Sequence, residues 1–421
     1  MHLLKLKTHF FSATLAMGLS CLFFSCQQKK TESSEFKDVT RRTIEVKLDD
    51  TTSKFPSEVM QSIDYIPLET TRESQFSQVS KLELLDKYFV IFDKTSNAIY
   101  FFLKDGKFSH KISNQGLDPE KSFKNISNFF IDRENQRIVI RDNKRLKLIY
   151  YNYEGKKTNE KDWPFDLKDF NSLGKSQFFY MAYLKEVDSS YLVNKDHFFK
   201  NLLIGDTTFK IEKSYFKYNP HVTYPSDLYN VNNVFYTTGS SMSFCDPYQY
   251  DIAKFSNGSE PKPEKIFHVA FDQDNKLPDD YLYSISLKDN RRNYLRTNPN
   301  KIWACTEVYT PNNEMLIFNL SSIKKLHNIF VYDLKSNRYF RLENLYSTDK
   351  LSYMLPLYGL GIDGADDQFV YSDITSDHMY KALNLVGKSK HINENPALKK
   401  FFEESNNLSN PVITRIKFKP F

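Results

Sequence analysis

Residues 88–107, YFVIFDKTSNAIYFFLKDGK, align without gaps on residues 137–156, RIVIRDNKRLKLIYYNYEGK, at an offset of 49. They share Val90/Val139, Ile91/Ile140, Asp93/Asp142, Gly106/Gly155 and Lys107/Lys156. Each segment is two apolar runs around a polar turn. A fixed period of this size built from strand-type runs signals a repeat in which every unit buries a face on its neighbours. Alternation and turns divide the first unit into VSKLELL, YFVIFD, NAIYFFL and KFSHKIS, and the second into ISNFFID, RIVIRD, RLKLIYYN and KKTNEKDW. Four strands joined by short hairpins make an antiparallel meander. The second strand is the most apolar, as an inner strand covered on both faces should be, and the fourth is polar, as suits an outer edge.

Further along, comparable turns fall at Asp206-Thr207, Asn257-Gly258 and Ser336-Asn337. Taking Gly106, Gly155, Thr207, Gly258 and Asn337 as markers gives five units with steps of 49, 52, 51 and 79 residues. The long step contains a polar insertion at residues 272–300, expected to form a loop or short helix. A sixth unit must come from what is left: LYGLGID, DQFVYSD, NPVITRIKF, and IEVKL or IDYIPLE from the other end. Pairing the two chain ends would close the ring and leave no open edge. The expected fold is all-β, a six-bladed β-propeller of four-stranded antiparallel blades closed by its N- and C-terminal strands. Short helices are expected near the C-terminus, capped by Ser376 and Asn395, with Pro396 at a first helical position.

Composition agrees with a large β core, since 27 Tyr and 36 Phe stand among 421 residues. A net charge of +6 spread over the whole chain lacks the concentrated basic stripe of nucleic-acid binding.

The first thirty residues read as a targeting segment. Lys5 and Lys7 precede the apolar run FFSATLAMGLSCLFFS, which is too short to suit a spanning helix. Ser25-Cys26, followed by polar QQKK, resembles a bacterial lipoprotein processing site, with Phe23 where such sites usually carry Leu. The resemblance implies a signal peptide at residues 1–25 and lipidation of Cys26. Residues 26–42 then read as a flexible tether, and 43–421 as the propeller. Cys245 and Cys305 remain as the thiols of the exported body. Their spacing supports no zinc site and leaves both a disulfide and two buried free thiols open.

SIDYIPLETT, the blade pattern of residues 88–107 and the ending NNLSNPVITRIKFK together resemble the six-bladed β-propeller lipoproteins of Bacteroidota, in which a "YIPLE" opening and an "NPV" ending recur. The resemblance runs from about residue 43 to 421. In the loop NQGLDPEKSF this chain keeps only Gly116, Pro119 and Glu120 of the family's glycine-rich pattern. The family brings a fold and a location, and no established activity.

Catalytic motifs are scarce. No histidine sits in a metal-ligand spacing, and GxSxG, P-loop and GxGxxG patterns are absent. Asp363, Asp366 and Asp367 in GLGIDGADD lack the regular spacing of a calcium loop and read as a polar hairpin. Loop residues are the better ligand candidates: His221 and Tyr224 in NPHVTYPSD, Tyr248 in CDPYQY, and Arg291, Arg292 and Arg296 in the insertion. No cofactor or metal is expected. The leading reading is a lipid-anchored binding or scaffold protein of the cell envelope, periplasmic or surface-facing, that recognises an extracytoplasmic protein or glycan. A hydrolase or lyase acting in the central channel and an envelope signal sensor are the alternatives.

Overall fold

The computed structural model describes residues 34–114, 123–162, 165–184, 189–192, 195–231, 233–258, 260–346, 349–355, 357, 361–387 and 390–421. Cys26, the leader and most of the NQGLDPEKSF loop therefore lie outside the described residues. The chain divides into two units, Met1–Asp38 and Val39–Phe421. Within the first, the described part holds one short turn of helix, Ser34–Phe36. The second holds every strand of the described residues.

That larger unit opens with β1 (Thr40–Glu45), the short helix α1 (Pro56–Val59) and β2 (Met60–Pro67). Four separate four-stranded antiparallel blades are built from consecutive strands. The first is β3 (Lys81–Leu84), β4 (Tyr88–Asp93), β5 (Ala98–Leu103) and β6 (Phe108–Ile112). The second is β7 (Ile126–Asp132), β8 (Arg137–Asp142), β9 (Lys147–Asn152) and β10 (Lys157–Asp162). The third is β11 (Asp169–Leu173), β12 (Ser176–Tyr180), β13 (Lys200–Gly205) and β14 (Ile211–Lys217). After β15 (Phe235–Thr238), β16 (Ser241–Cys245), β17 (Asp251–Ser256) and β18 (Lys265–Ala270) comes the insertion, which holds α2 (Arg291–Thr297). The fourth separate blade follows it as β19 (Ile302–Tyr309), β20 (Met315–Ser322), β21 (Ile329–Asp333) and β22 (Arg338–Arg341). The chain ends with β23 (Gly364–Ala365), β24 (Val370–Ile374), α3 (Ser376–Val386), α4 (Lys390–Asn393), α5 (Pro396–Glu404) and β25 (Val412–Phe418).

The expected six separate blades are corrected to four. The remaining nine strands form a single sheet in the order β1-β18-β17-β16-β15-β23-β24-β25-β2. The cause is one parallel pairing, Thr238 with Ala365, which fuses β15 to β23. Chain closure also differs from expectation. β2 lies antiparallel to β25, with Ile63 opposite Ile416, but β1 leaves the chain ends and runs parallel to β18, Ile44 opposite Val269.

The repeated residues have local jobs. Asp93 accepts the backbone N–H groups of Thr95 and Ser96, each at 3.1 Å, and Asp142 does the same for Lys144 and Arg145 at 3.0 and 3.2 Å. Each Asp thereby closes the hairpin after a second strand. Gly106 and Gly155 hold φ of 89° and 77°, and a Cβ on Gly106 would stand 2.1 Å from the Pro67 carbonyl oxygen. All five marker turns join the third strand of a meander to its fourth.

Aromatic rings fill the seams between sheets. Phe92 meets Phe129 at 6.2 Å, Phe130 meets Phe170 at 4.6 Å, Phe178 meets Phe255 at 5.0 Å, and Phe89 meets Tyr371 at 5.7 Å between ring centroids. The C-terminal helices form where expected. Asn395 caps α5 by accepting the N–H groups of Ala397 and Leu398, while α3 is capped by Thr375, one residue before the expected Ser376. Cys245 and Cys305 are both free and buried.

Candidate functional site

The first strands, β3, β7, β11, β15, β19 and β23, line a channel, and three adjoining cavities occupy it. The middle one, about 310 Å³, is walled by Lys81–Leu84, Phe235–Thr237, Thr306, Glu307, Tyr309 and Ile362–Ala365, with Arg133 and His327 at its edge. A second cavity of about 450 Å³ shares Ser80, Lys81 and Asn233 with it and continues to Asn128, Arg141 and Lys168. The third, about 670 Å³, shares Leu84, Arg133, Thr237 and Ala365 and contains Lys104, Asp366 and Arg415.

Glu307 is placed by an irregularity. The pairing of β19 with β20 slips between Thr306 and Tyr309, and Glu307 takes a φ of 53° there. A bulge of this kind turns a side chain away from its ladder position, and a positive φ on a non-glycine residue is costly enough to mark a site worth attention. The Glu307 carboxylate accepts the Ile362 N–H at 3.1 Å and the Asn319 side-chain amide at 3.3 Å. His327 Nδ1 stands 3.6 Å from Glu307 Oε1. The hydrogen bond and charge of Glu307 raise the imidazole above its ordinary value.

Across the same cavity, Asp363 Oδ2 accepts the backbone N–H of Asp373 at 2.7 Å. Asp363 touches the cavity but is otherwise enclosed by protein. Burial, then the charge of Asp373, push its carboxyl well up. Burial likewise pushes Asp373 up to about 6. Two buried carboxyls this close favour the protonated form of one of them. On β3, Lys81 Nζ donates to the Phe129 carbonyl at 2.6 Å and lies 3.3 Å from a Glu83 oxygen. Asp169 is buried, accepts the Val234 N–H at 3.1 Å and the Asn128 amide, and is raised chiefly by desolvation. The wall thus offers closely spaced carboxylates, amides and cations, the groups that hydrogen-bond hydroxyls from both directions.

None of the six loop candidates lines these three cavities. His221 is exposed, and its carbonyl accepts the Tyr224 hydroxyl at 3.0 Å. The Tyr224 ring lies beneath Lys288, 5.1 Å away. Tyr248 is buried, stacked on Tyr281 at 5.6 Å, with its hydroxyl bonded to the backbone of Tyr229. Arg291 is fully buried, its guanidinium donating to Asp227 and to the carbonyls of Val222, Tyr281, Leu282 and Ser284. Arg292 donates to the Leu228 carbonyl and Arg296 to the Tyr229 hydroxyl. These arginines clamp the insertion onto the loop of residues 219–229. Sequence reading passes over Glu307 and Asp373, and takes His327 for an ordinary strand residue and Asp363 for part of a polar hairpin. Each stands in or beside a strand, where the β pattern gives a polar residue no distinguishing mark. Among the described residues, no three His, Cys, Asp or Glu side chains converge as a metal site would require.

A family model described as "Domain of unknown function (DUF4934)" matches residues 41–417. The chain belongs to that family. The DUF4934 chain is similar in structure to a protein from Bacteroides fragilis described as exported. The TM-score is 0.68 at 18% identity, covering 90% of this chain and 100% of the other. A DUF4221 family member from Bacteroides vulgatus is more distant, with a TM-score of 0.46 at 12% identity over 86% of this chain and 98% of the other. The first likeness concerns the propeller fold alone. No protein with a curated description matches the chain. Among the described residues, no helix is long and apolar enough to cross a membrane.

Proposed function

We propose that this chain is an envelope β-propeller, lipid-anchored through Cys26 outside the cytoplasm, that binds a hydroxyl-rich ligand of the glycan class in its channel without turning it over. The observation that carries the binding reading is the bulge that turns Glu307 toward a cavity already holding Asp363, Lys81 and Glu83. Strain spent on orienting a carboxylate is compensated when a ligand uses it. A longer glycan or a protein partner would meet the cap at the exposed His221 and Arg296 and the half-buried Tyr224 and Arg292, while the buried Tyr248 and Arg291 hold it together. Radiolabelled palmitate incorporation in wild-type and Cys26→Ser cells tests the anchor: label lost on substitution supports it, and unchanged label refutes it.

A second reading has its own observation. Asp363 lines the cavity beside Asp373, and burial raises both carboxyls, Asp373 to about 6, the direction a general acid for hydrolysis or elimination requires. Release of reducing ends from a bound oligosaccharide, abolished by Asp363→Asn, would move the assignment to a hydrolase or lyase.

A further inference from the structure

Lys104 follows β5 in the turn toward β6 and lines the 670 Å³ cavity at one end of the channel. Its amine rests 4.4 Å from the centroid of the Phe89 ring and 5.7 Å from that of Tyr371. Among the described residues neither a hydrogen bond nor an ion pair engages it. Lysines in folded proteins ordinarily keep the ammonium in water or paired, so an unpaired one laid against two rings at a cavity wall is unusual. Desolvation lowers this amine to about 8; the charges of Asp366 and Asp86 oppose the shift, and those of Arg415 and Arg133 add to it.

The surroundings supply the other parts of an amine chemistry. The Tyr371 hydroxyl donates to Asp366 Oδ2 at 2.7 Å, which places an acid–base pair on the same cavity wall. Arg133 spends one donor on the Leu84 carbonyl at 2.8 Å and keeps its charge at the cavity rim. Arg415 is held by Asp64 at 2.9 Å.

We propose that Lys104 is a reactive amine that condenses with an oxo acid entering this cavity, with Arg133 receiving the carboxylate. The nitrogen lone pair attacks the carbonyl carbon, and a proton passes from nitrogen to the former carbonyl oxygen to give a carbinolamine. Its hydroxyl then leaves as water as the second nitrogen proton is lost, so that amine and carbonyl become imine and water with no change of oxidation state. The Asp366–Tyr371 pair serves these proton transfers. The site adjoins the glycan-binding cavity, with Arg133 on the wall of both, but its amine lies outside that cavity and the proposal stands whether or not the glycan reading holds.

The test exposes the whole folded domain to glyoxylate and cyanoborohydride at pH 7 and measures carboxymethylation of each lysine by peptide mass spectrometry. The lowered amine makes the free-base fraction of Lys104 on the order of a hundred times that of an ordinary lysine. The expected result is that Lys104 is modified at least about tenfold faster than its exposed neighbour Lys107, since restricted access offsets part of that advantage. Equal or slower modification of Lys104 overturns the proposal. Arg133→Gln should slow the glyoxylate reaction at Lys104 several-fold more than it slows reductive methylation by formaldehyde, which registers only the loss of the Arg133 charge on the amine. Equal effects on the two reagents overturn the carboxylate role, and the formaldehyde arm also reports that the variant is folded.

Discussion

Arg291 and Asp227 form a two-point contact inside the cap: Arg291 Nη1 lies 2.8 Å from Asp227 Oδ2, and the Arg291 backbone N–H lies 2.9 Å from Oδ1. Both residues are buried. Replacing one partner leaves the other as an uncompensated buried charge, which costs about 3–5 kcal/mol. Arg291→Met should therefore lower stability by that amount in urea denaturation. The double variant Arg291→Met/Asp227→Leu should lose less than the two single losses added together. A loss below 1 kcal/mol for Arg291→Met would show that the clamp does not hold the insertion in place.

Asn410 explains why the opening and ending motifs belong together. Its side chain accepts the Phe76 N–H at 3.0 Å and donates to the carbonyls of Glu69 and Ser74 at 2.8 and 3.0 Å, while its own N–H reaches Thr70 Oγ1 at 2.9 Å. The "NPV" asparagine thus ties the final strand to the segment that follows "YIPLE". Asn410→Ala strands a buried N–H and two carbonyls and should destabilise the protein by about 2–3 kcal/mol. Asn410→Asp should recover part of this loss, because it keeps the acceptor for Phe76. Equal denaturation midpoints for wild type and Asn410→Ala would contradict the role.

The Asp363–Asp373 pair sets a pH dependence with a definite sign. The folded value of Asp373, about 6, lies above its ordinary 3.8, so the native protein holds a proton that the unfolded chain releases. Its contribution to stability is full below about pH 4 and falls as pH rises through 6. The stability difference between wild type and Asp373→Asn should change by roughly 2 kcal/mol between pH 4 and pH 7, with wild type losing ground as pH increases. A difference that is flat with pH, or of opposite slope, would remove the retained proton.

The blade pattern was legible because hairpin chemistry repeats. Asp93 and Asp142 close equivalent turns, Gly106 and Gly155 take equivalent positive φ values, and the marker turns all join third to fourth strands. The fusion of β15 with β23 was not legible, since it rests on the single pairing of Thr238 with Ala365, which leaves no periodic trace. The departure of β1 to β18 escaped for a related reason: IEVKL suits an edge strand in either sheet. Among candidate residues, the loop arginines drew attention as a charge cluster, yet Arg291 turns inward to satisfy five acceptors. Glu307 is one acid among 52 Asp and Glu, and only the bulge distinguishes it.

The central claim is that the channel cavity around Glu307 and Asp363 holds a hydroxyl-rich ligand. Isothermal titration of the domain with a panel of neutral and acidic mono- and disaccharides tests it most directly, with Glu307→Gln and Asp363→Asn titrated alongside. At least one saccharide should bind wild type, with affinity about tenfold weaker in Glu307→Gln, as loss of one charge-assisted hydrogen bond predicts. Failure of every saccharide to bind, or binding that both substitutions leave unchanged, would contradict the account.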